Sequence, residues 1–320
     1  MKEGKAYCNP QVLLLGNGIN QLNGGVSWND FLREIATKKE IVDGVIPVED
    51  LTCPEPLKAI LVTEDHVDVA MRDYCNRIAF QEQTEQVRVL YKKLLSLGFD
   101  DVLTTNYTYE LEIAASTSKE MSRYRIEKLM RHTDAVKQAD RKYLLHTYNQ
   151  LAVDGCINRV WHIHGEARKP DSTVLGHYYY GNLLCKIKDY LYQRNYAESK
   201  EMKSWVDSFI MGDVYILGFG FGFSELDLWW LLNRKAREKN TTGKVYFYEA
   251  EPVGFNEKQE LLRMLRRAYD GKAVVEIVNC GYKKKIILKN GVEKTVLDGR
   301  YEDFYNDAIA DIAGRINGRK

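Results

Sequence analysis

Short, largely apolar runs recur along the chain, and most of them end at a glycine or a polar residue. The first, Val12-Leu13-Leu14-Leu15, directly precedes Gly16. Five similar runs follow, at 101–105, 159–163, 213–217, 244–248 and 273–278. Apolar runs of this length, bounded by turn residues, are typical of strands that are buried on both faces, so they predict a parallel sheet.

The segments between these runs carry the longer period of amphipathic helices. Apolar residues at positions 28, 31, 32 and 35 predict a helix that begins after Ser27 as its N-cap. Further helices are predicted at 64–97 (two, closed by Gly98), 182–211 (one or two), 225–239, 256–268 and 301–317. Residues 40–62 contain three prolines and are expected to be a loop, and Asn290-Gly291 predicts a hairpin turn.

Strands that alternate with helices predict an α/β fold, a Rossmann-like doubly wound, mainly parallel sheet. The polar inserts near 40–97 and 108–150 are expected to form a helical subdomain beside it. Residues 1–280 would form the domain that contains this sheet, and residues 281–320 a C-terminal hairpin and helix.

Composition narrows the functional classes. Lys and Arg number 46 against 45 Asp and Glu, a balance that argues against a general nucleic-acid binder. The six cysteines form no C-x-x-C pair, so neither a zinc ribbon nor a disulfide framework is expected. No apolar stretch is long enough for a signal peptide or a membrane span, and a cytoplasmic location is expected.

Two glycine-rich segments follow predicted strands. One is Gly16-Asn17-Gly18-Ile19-Asn20, and the other runs from Gly218 to Asp227 with glycines at every second position up to Gly222. Such loops let a backbone approach a pyrophosphate, although a tight turn would explain the first equally well. Ser224 and Asp227 fit a capping box that opens the next helix, which does not exclude a ligand contact there.

Polar side chains with catalytic potential follow two other strands. Asn106 could fix a ribose hydroxyl or a water molecule, but it could also cap a helix. His164 lies at the end of its strand, where a histidine can act as a general base. His162 is better interpreted as a hydrogen-bonded core histidine. A metal site is not expected, because a third ligand is missing nearby.

The order of these motifs resembles the sirtuin-like superfamily, especially its bacterial NAD-hydrolysing branch. The resemblance spans about residues 10–250. It rests on Gly16-Asn17-Gly18-Ile19-Asn20, Gly24-Gly25-Val26-Ser27-Trp28, Thr104-Thr105-Asn106, His164-Gly165 and the segment from Gly218 to Asp227. Asn106-Tyr107-Thr108 and His162-Ile163-His164-Gly165 also resemble AbiH-type abortive-infection proteins.

The resemblance implies an NAD glycohydrolase that acts in anti-phage defence, as a homo-oligomer or with a defence-system partner. Asn106 and His164 would be catalytic. NAD, the substrate, would be bound by Gly16, Gly18, Asn20, Thr105, Gly218, Ser224 and Glu249, with Glu251 as the alternative to Glu249. No metal is implied.

Two departures from the resemblance leave more than one function open. The chain lacks the zinc ribbon of protein-deacylating sirtuins, and Thr108 stands where they carry an acid. The first departure weakens the case for an acyl-lysine deacylase. Two further functions stay open: a module that binds NAD or ADP-ribose without turnover, and a partner subunit with a vestigial site.

Overall fold

Eight strands form one sheet in the computed structural model, which describes residues 9–78, 83–116, 131–133, 142–289 and 292–318. The strands are β1 Gln11–Leu15, β2 Asp101–Thr104, β3 Arg131–Thr133, β4 Thr147–Val153, β5 Cys156–His162, β6 Asp213–Leu217, β7 Val245–Tyr248 and β8 Val275–Val278. Their order across the sheet is β3-β4-β5-β2-β1-β6-β7-β8. The six neighbouring strands β5-β2-β1-β6-β7-β8 pair in parallel, so their carboxyl ends lie at the same edge of the sheet.

The order of the six parallel strands is that of a doubly wound Rossmann sheet. Numbered along the chain, these strands lie in the order 3-2-1-4-5-6. The predicted fold class is therefore confirmed. The strand order reverses at β1, which pairs with β2 on one side and with β6 on the other. The crevice between β1 and β6 is where such sheets bind ligands.

Helices cover both faces of the sheet. They are α1 Trp28–Ile35, α2 Lys39–Val42, α3 Glu55–Val62, α4 Val67–Ile78, α5 Glu85–Leu95, α6 Glu110–Ala115, α7 His177–Tyr192, α8 Trp205–Met211, α9 Leu226–Arg237, α10 Glu257–Met264 and α11 Tyr301–Asn317. Among the described residues, no helix combines the length and the apolar character that crossing a bilayer requires.

Strand β1 shows how the three layers are built. Val12 and Leu14 pack in the apolar cluster that contains α7, α8 and α9. Leu13 and Leu15 point the other way, into the cluster that contains α5 and α11. Because successive side chains of a strand alternate between faces, a run of four apolar residues is what a strand covered on both sides requires.

Helices α3 and α4 of the segment 40–97 share a third apolar cluster with α1, which precedes that segment. Helix α5 packs instead in the cluster that contains α11 and one face of the sheet. The expectation of a loop throughout 40–62 was wrong, because α3 occupies Glu55–Val62. Pro54 is the N-cap of this helix, and Pro56 lies in its first turn. Proline is accepted there, since the first amides of a helix have no partner within it.

The insert expected at 108–150 is described at residues 108–116, 131–133 and 142–150. It contains the short helix α6, but Thr147–Val153 forms strand β4, which extends the sheet antiparallel to β5. The turn between these strands is Asp154-Gly155, with φ of 50° and 82°. Two consecutive positive φ values fit the tight hairpin turns that Asp-Gly favours. Residues 117–130 and 134–141 lie outside the described residues.

The C-terminal hairpin and helix are also present. Strands β9 (Lys284–Lys289) and β10 (Val292–Leu297) pair antiparallel, while the Asn290-Gly291 turn lies outside the described residues. Helix α11 matches the predicted span of 301–317. It packs through Phe304 and Ile312 in the same apolar cluster as α5 and the sheet.

Candidate active site

A cavity of about 450 Å³ opens at the carboxyl edge of the sheet. Its walls come from segments that follow four strands: the glycine loops after β1 and β6, residues 105–110 after β2, and His164 after β5. Trp28 and Phe31 of α1 and Tyr74 of α4 close it from the helical insert. The cavity therefore lies where the fold predicts a ligand, between the sheet and the insert.

The two glycine loops are pressed against each other at the floor of this cavity. The Gly16 amide donates to the Leu217 carbonyl at 3.3 Å, and the Gly18 amide donates to the Gly218 carbonyl at 2.7 Å. A Cβ atom on Gly18 would lie only 2.7 Å from the Gly218 oxygen. These glycines therefore allow two loops to touch, and their amides are already engaged with protein. Gly18 and Gly218 line the cavity.

Asn20 lies at one end of the cavity in a network of polar side chains. Its amide nitrogen donates to Asn17 Oδ1 at 2.9 Å and to Glu110 Oε1 at 3.0 Å, and its oxygen accepts from the Tyr91 hydroxyl at 2.8 Å. The Thr108 hydroxyl also donates to Glu110. Burial raises the pKa of the Glu110 carboxyl.

Glu110 supplies a carboxylate close to the position at which the sirtuin-like pattern has an acid and this chain has Thr108. Sequence reasoning missed Glu110, because the family pattern directs attention to position 108. Its position at the start of α6, directly after the Asn106 segment, was the available signal. The cavity therefore has an acidic group at this end.

The segment after β2 places Thr105 and Asn106 in the cavity wall. The Thr105 amide donates to the Leu15 carbonyl at 3.2 Å, which continues the pairing of β2 with β1. The Asn106 side chain donates to the Gly16 carbonyl at 3.4 Å. Asn106 therefore joins the β1 loop to the β2 loop at the point where the strand order reverses.

His162 is a buried, hydrogen-bonded histidine, in line with the interpretation favoured from the sequence. Its Nδ1 lies 2.9 Å from the Asn106 carbonyl oxygen, and its Nε2 lies 3.0 Å from Glu112 Oε1. Burial opposes a charge on this ring, but Glu112 outweighs it and raises the pKa of His162 to about 9. The imidazolium donates at both nitrogens and holds the backbone of Asn106 in place.

His164 lines the cavity with 2% of its surface exposed. Its Nε2 donates to Asp227 Oδ2 at 3.0 Å, and its Nδ1 lies 3.9 Å from Glu225 Oε2. Burial lowers the pKa of His164, whereas the charges of Asp227 and Glu225 raise it, and the net shift is upward. The bond to Asp227 fixes the proton on Nε2 in the neutral ring, so Nδ1 remains as the basic nitrogen.

The capping box predicted from Ser224 and Asp227 was wrong. The N-cap of α9 is Glu225, and it makes no side-chain cap bond. Asp227 is fully buried and bonds to His164 instead. Sequence spacing could not distinguish these roles, because Asp227 reaches a residue 63 positions away. Ser224 lies outside the residues that line the cavity, whereas Glu225, which was not predicted, lines it.

Glu249 and Glu251 also lie away from the cavity lining. Glu249 accepts from Lys258 at 3.0 Å and from Lys284 at 2.9 Å, and these lysines outweigh burial and lower its pKa. Lys258 also donates to the Gly220 carbonyl at 2.8 Å, so Glu249 anchors the loop after β6. Glu251 pairs with Lys283 at 3.2 Å.

Potential metal ligands come together at one place among the described residues. Ligand atoms of His164, Glu225 and Asp227 all lie within 4.8 Å of one another. His164 Nε2 lies 3.0 Å from Asp227 Oδ2, and its Nδ1 faces Glu225 at 3.9 Å. The three residues therefore form one compact polar group at the cavity wall.

Gly165 holds the turn that orients His164, and we expect Gly165→Ala to destabilise the protein. Its φ is +93°, and an added Cβ would lie 2.3 Å from the Ser172 carbonyl oxygen. The strained backbone and the clash should together lower the free energy of unfolding by about 3 kcal/mol, measured in urea. Gly155→Ala is the matched control, because its φ is +82° with no atom within 4 Å. Equal losses of unfolding free energy in the two variants would show that the clash with Ser172 contributes nothing.

A Rossmann-type sheet supports many different reactions, so its presence alone does not identify a function. The function must instead be inferred from the side chains that line the cavity. No protein-family model matches the chain, and no curated protein matches it significantly.

Proposed function

We propose that the protein binds NAD in this cavity and hydrolyses its nicotinamide–ribose bond, which releases nicotinamide and ADP-ribose. The observation that carries the proposal is the meeting of Asn106 and His164 in one cavity at the switch point of a Rossmann-order sheet. These residues follow different strands, and both belong to the motifs that resemble sirtuin-like NAD hydrolases.

The size and lining of the cavity support a ligand with planar and polar groups. Its volume of about 450 Å³ lies within the range of roughly 300–1,000 Å³ that is usual for ligand pockets. Trp28, Phe31 and Phe219 offer apolar ring surfaces to planar groups. Gly18 and Gly218 shape the floor, and Asn20 and Thr105 supply polar groups.

Two further parts of the proposal concern residues that do not line the cavity. Gly16 acts through its contact with the β6 loop. Ser224 and Glu249 do not line the cavity, so they could contact the adenosine half of NAD only if that half extends outside it.

The residues around His164 suit the hydrolytic step. The departing nicotinamide takes the electron pair of its bond to the ribose C1′ carbon, and the oxygen of a water molecule then bonds to that carbon. His164 Nδ1 accepts the proton of the water, while Asp227 holds Nε2–H. Asn106 orients the water or a ribose hydroxyl. Help from a general base of this kind is typically worth about 100- to 10,000-fold in rate.

Incubation of the purified protein with NAD tests the proposal directly. We expect nicotinamide and ADP-ribose to appear, and we expect NAD or ADP-ribose to raise the melting temperature. A ligand at 100 times its Kd stabilises the folded state by about 2.7 kcal/mol. Heat-denatured protein is the control for spontaneous hydrolysis. The absence of both product and thermal shift at millimolar NAD would refute the proposal.

Binding without turnover is the second candidate, because His164 is only 2% exposed. A clear thermal shift without any released nicotinamide would identify it. We further propose, from the resemblance, that the activity serves anti-phage defence in the cytoplasm, by a homo-oligomer or with a partner protein. NAD depletion in infected cells that express the protein would test that role.

A further inference from the structure

Glu225 lies beside His164 in the cavity wall, and the proposed hydrolysis gives its carboxylate no part. We propose that His164 Nδ1 and a Glu225 oxygen form a binding site for Zn²⁺. A bound Zn²⁺ inhibits the enzyme, because it occupies the nitrogen that accepts the proton of water. The inhibition rests on the proposed function, whereas the binding of the cation does not.

The spacing of these two side chains suits a cation held between them. Glu225 Oε2 lies 3.9 Å from His164 Nδ1, which is too long for a hydrogen bond. Zinc bonds to imidazole nitrogen and to carboxylate oxygen at about 2.0–2.2 Å, so two ligand atoms of a tetrahedral site lie roughly 3.4 Å apart. A movement of about 0.5 Å would therefore bring both atoms to zinc.

Neighbouring side chains already orient both ligands. His164 Nε2 donates to Asp227 Oδ2 at 3.0 Å, and the Tyr180 hydroxyl donates to Glu225 Oε2 at 3.2 Å. A metal-binding histidine usually donates its other ring nitrogen to a carboxylate or a carbonyl, and ligating carboxylates are themselves hydrogen-bonded. Asp227 and Tyr180 therefore stand where the outer partners of a metal site are found.

The charges around His164 point to a missing positive group. Asp227 is fully buried, and its Oδ1 accepts no hydrogen bond from the described residues. Within the described part of the chain, the ion pairs of Asp227 and Glu225 are with His164 and not with a lysine or an arginine. Buried carboxylates are stable when they are paired or bind a metal, so a cation would compensate this group.

The ligand types favour zinc over hard cations. Imidazole nitrogen and carboxylate oxygen are both common zinc ligands, whereas Mg²⁺ and Ca²⁺ prefer sites made of oxygen alone. Both His164 and Glu225 line the cavity, so water molecules can complete the coordination. Two protein ligands fit an exchangeable cation rather than a permanent structural one, which normally has four.

A cation on Nδ1 takes the electron pair that the proposed reaction needs. Nε2 carries the proton that is donated to Asp227, so the ring has no other nitrogen to accept a proton from water. The cation also adds positive charge to a cavity in which the ribose becomes positive as nicotinamide leaves. Nicotinamide release should therefore fall as Zn²⁺ binds, and it should return when a chelator removes the cation.

Calorimetric titration of the protein with ZnCl₂, without NAD, measures the binding alone. Loss of an outer partner typically weakens metal binding about 10- to 100-fold, so Tyr180→Phe should weaken it at least about 10-fold and Glu225→Gln more than about 100-fold. Glu110→Gln is the matched control, because Glu110 is a cavity carboxylate outside the His164 group. That variant should bind zinc normally. MgCl₂ should give no comparable signal.

Nicotinamide release at increasing Zn²⁺ concentration measures the inhibition, with each variant compared with its own zinc-free rate. The concentration that halves the rate should rise in Glu225→Gln and Tyr180→Phe by the same factors as the dissociation constant. Melting curves show whether the variants fold, and Tyr180→Phe carries the test if Glu225→Gln does not.

The two measurements separate the possible failures. Zinc binding that depends on Glu225, without any release of nicotinamide, would refute the proposed function and leave the zinc site established. Release of nicotinamide, together with zinc binding that is absent or equally strong in Glu225→Gln, would overturn the inference and leave the proposed function intact. Faster release with bound zinc would overturn the inhibition.

Discussion

His164→Ala is expected to lower nicotinamide release by about 100- to 10,000-fold, because it removes the general base of the proposed reaction. Asn106→Ala should also remove most activity, because water and ribose would lose their orientation. The double variant should be little worse than either single variant, since residues that act as a unit are not additive. Nicotinamide release, measured beside a melting curve for each variant, gives the result.

The matched control for this experiment is His177→Ala, since His177 is exposed and does not line the cavity. That variant should retain full activity and an unchanged melting temperature. A folded His164→Ala protein with near-normal turnover would exclude His164 as the base. Inactivity in every variant and in the unsubstituted protein would instead favour the binding module.

The second large effect concerns stability. His162→Ala should lower the free energy of unfolding by about 3–5 kcal/mol, because it leaves Glu112 as a buried charge without its partner. Glu112 is 1% exposed, and its Oε1 accepts from His162 at 3.0 Å and from Asn149 at 2.8 Å. Urea unfolding of the variant at pH 6 measures the loss. A loss below about 1 kcal/mol would show that the pair contributes little.

The same pair should make stability fall at alkaline pH. The pKa of His162 is about 9 in the folded protein and near its ordinary value of 6.5 when unfolded. Its contribution is therefore complete below pH 6.5 and is lost as the pH rises through about 9. The pKa of Glu112 is lowered, so its contribution to the free energy of unfolding is lost in the other direction, as the pH falls and the carboxylate becomes protonated. In His162→Gln, the alkaline fall in unfolding free energy should be much smaller than in the unsubstituted protein.

The parallel core of the sheet could be predicted closely from the sequence. Strand β6 matched the predicted 213–217, and β1 differed by a single residue. These strands are covered on both faces, so their sequences contain almost only apolar residues. A local pattern is sufficient there because burial on both sides leaves few other residue types acceptable.

The edge of the sheet and the insert were predicted less well. Strand β4 carries Thr147, Asn149 and Gln150 among its apolar residues and so shows no continuous apolar run, although the Asp154-Gly155 turn was a usable signal. Helix α3 was taken for a loop because its prolines were interpreted as breakers rather than as first-turn residues. Both errors came from ambiguous local chemistry that tertiary packing resolves.

The sequence placed Asn106 and His164 at strand ends, and the structure brings them to one cavity. The sequence could not indicate that Asp227 would form a hydrogen bond with His164. Nor could it indicate that Glu249 would form ion pairs with Lys258 and Lys284. These contacts join residues that are distant in sequence, and they depend on the exact packing of loops. Neither the hydrophobic periodicity of a segment nor its secondary-structure propensity carries information about such contacts.

The pairing of β1 with β6 has a consequence for the synthesis of the chain. Gln11 lies beside Asp213, so the central strand waits for about 200 further residues to leave the ribosome before it gains its second neighbour. Contacts of such long range form slowly, because the loop between them must first be closed. Glu225 and Asp227 emerge later still. A nascent chain therefore lacks the complete cavity until most of the protein has been made, and the proposed hydrolysis of NAD would be withheld from unfinished molecules.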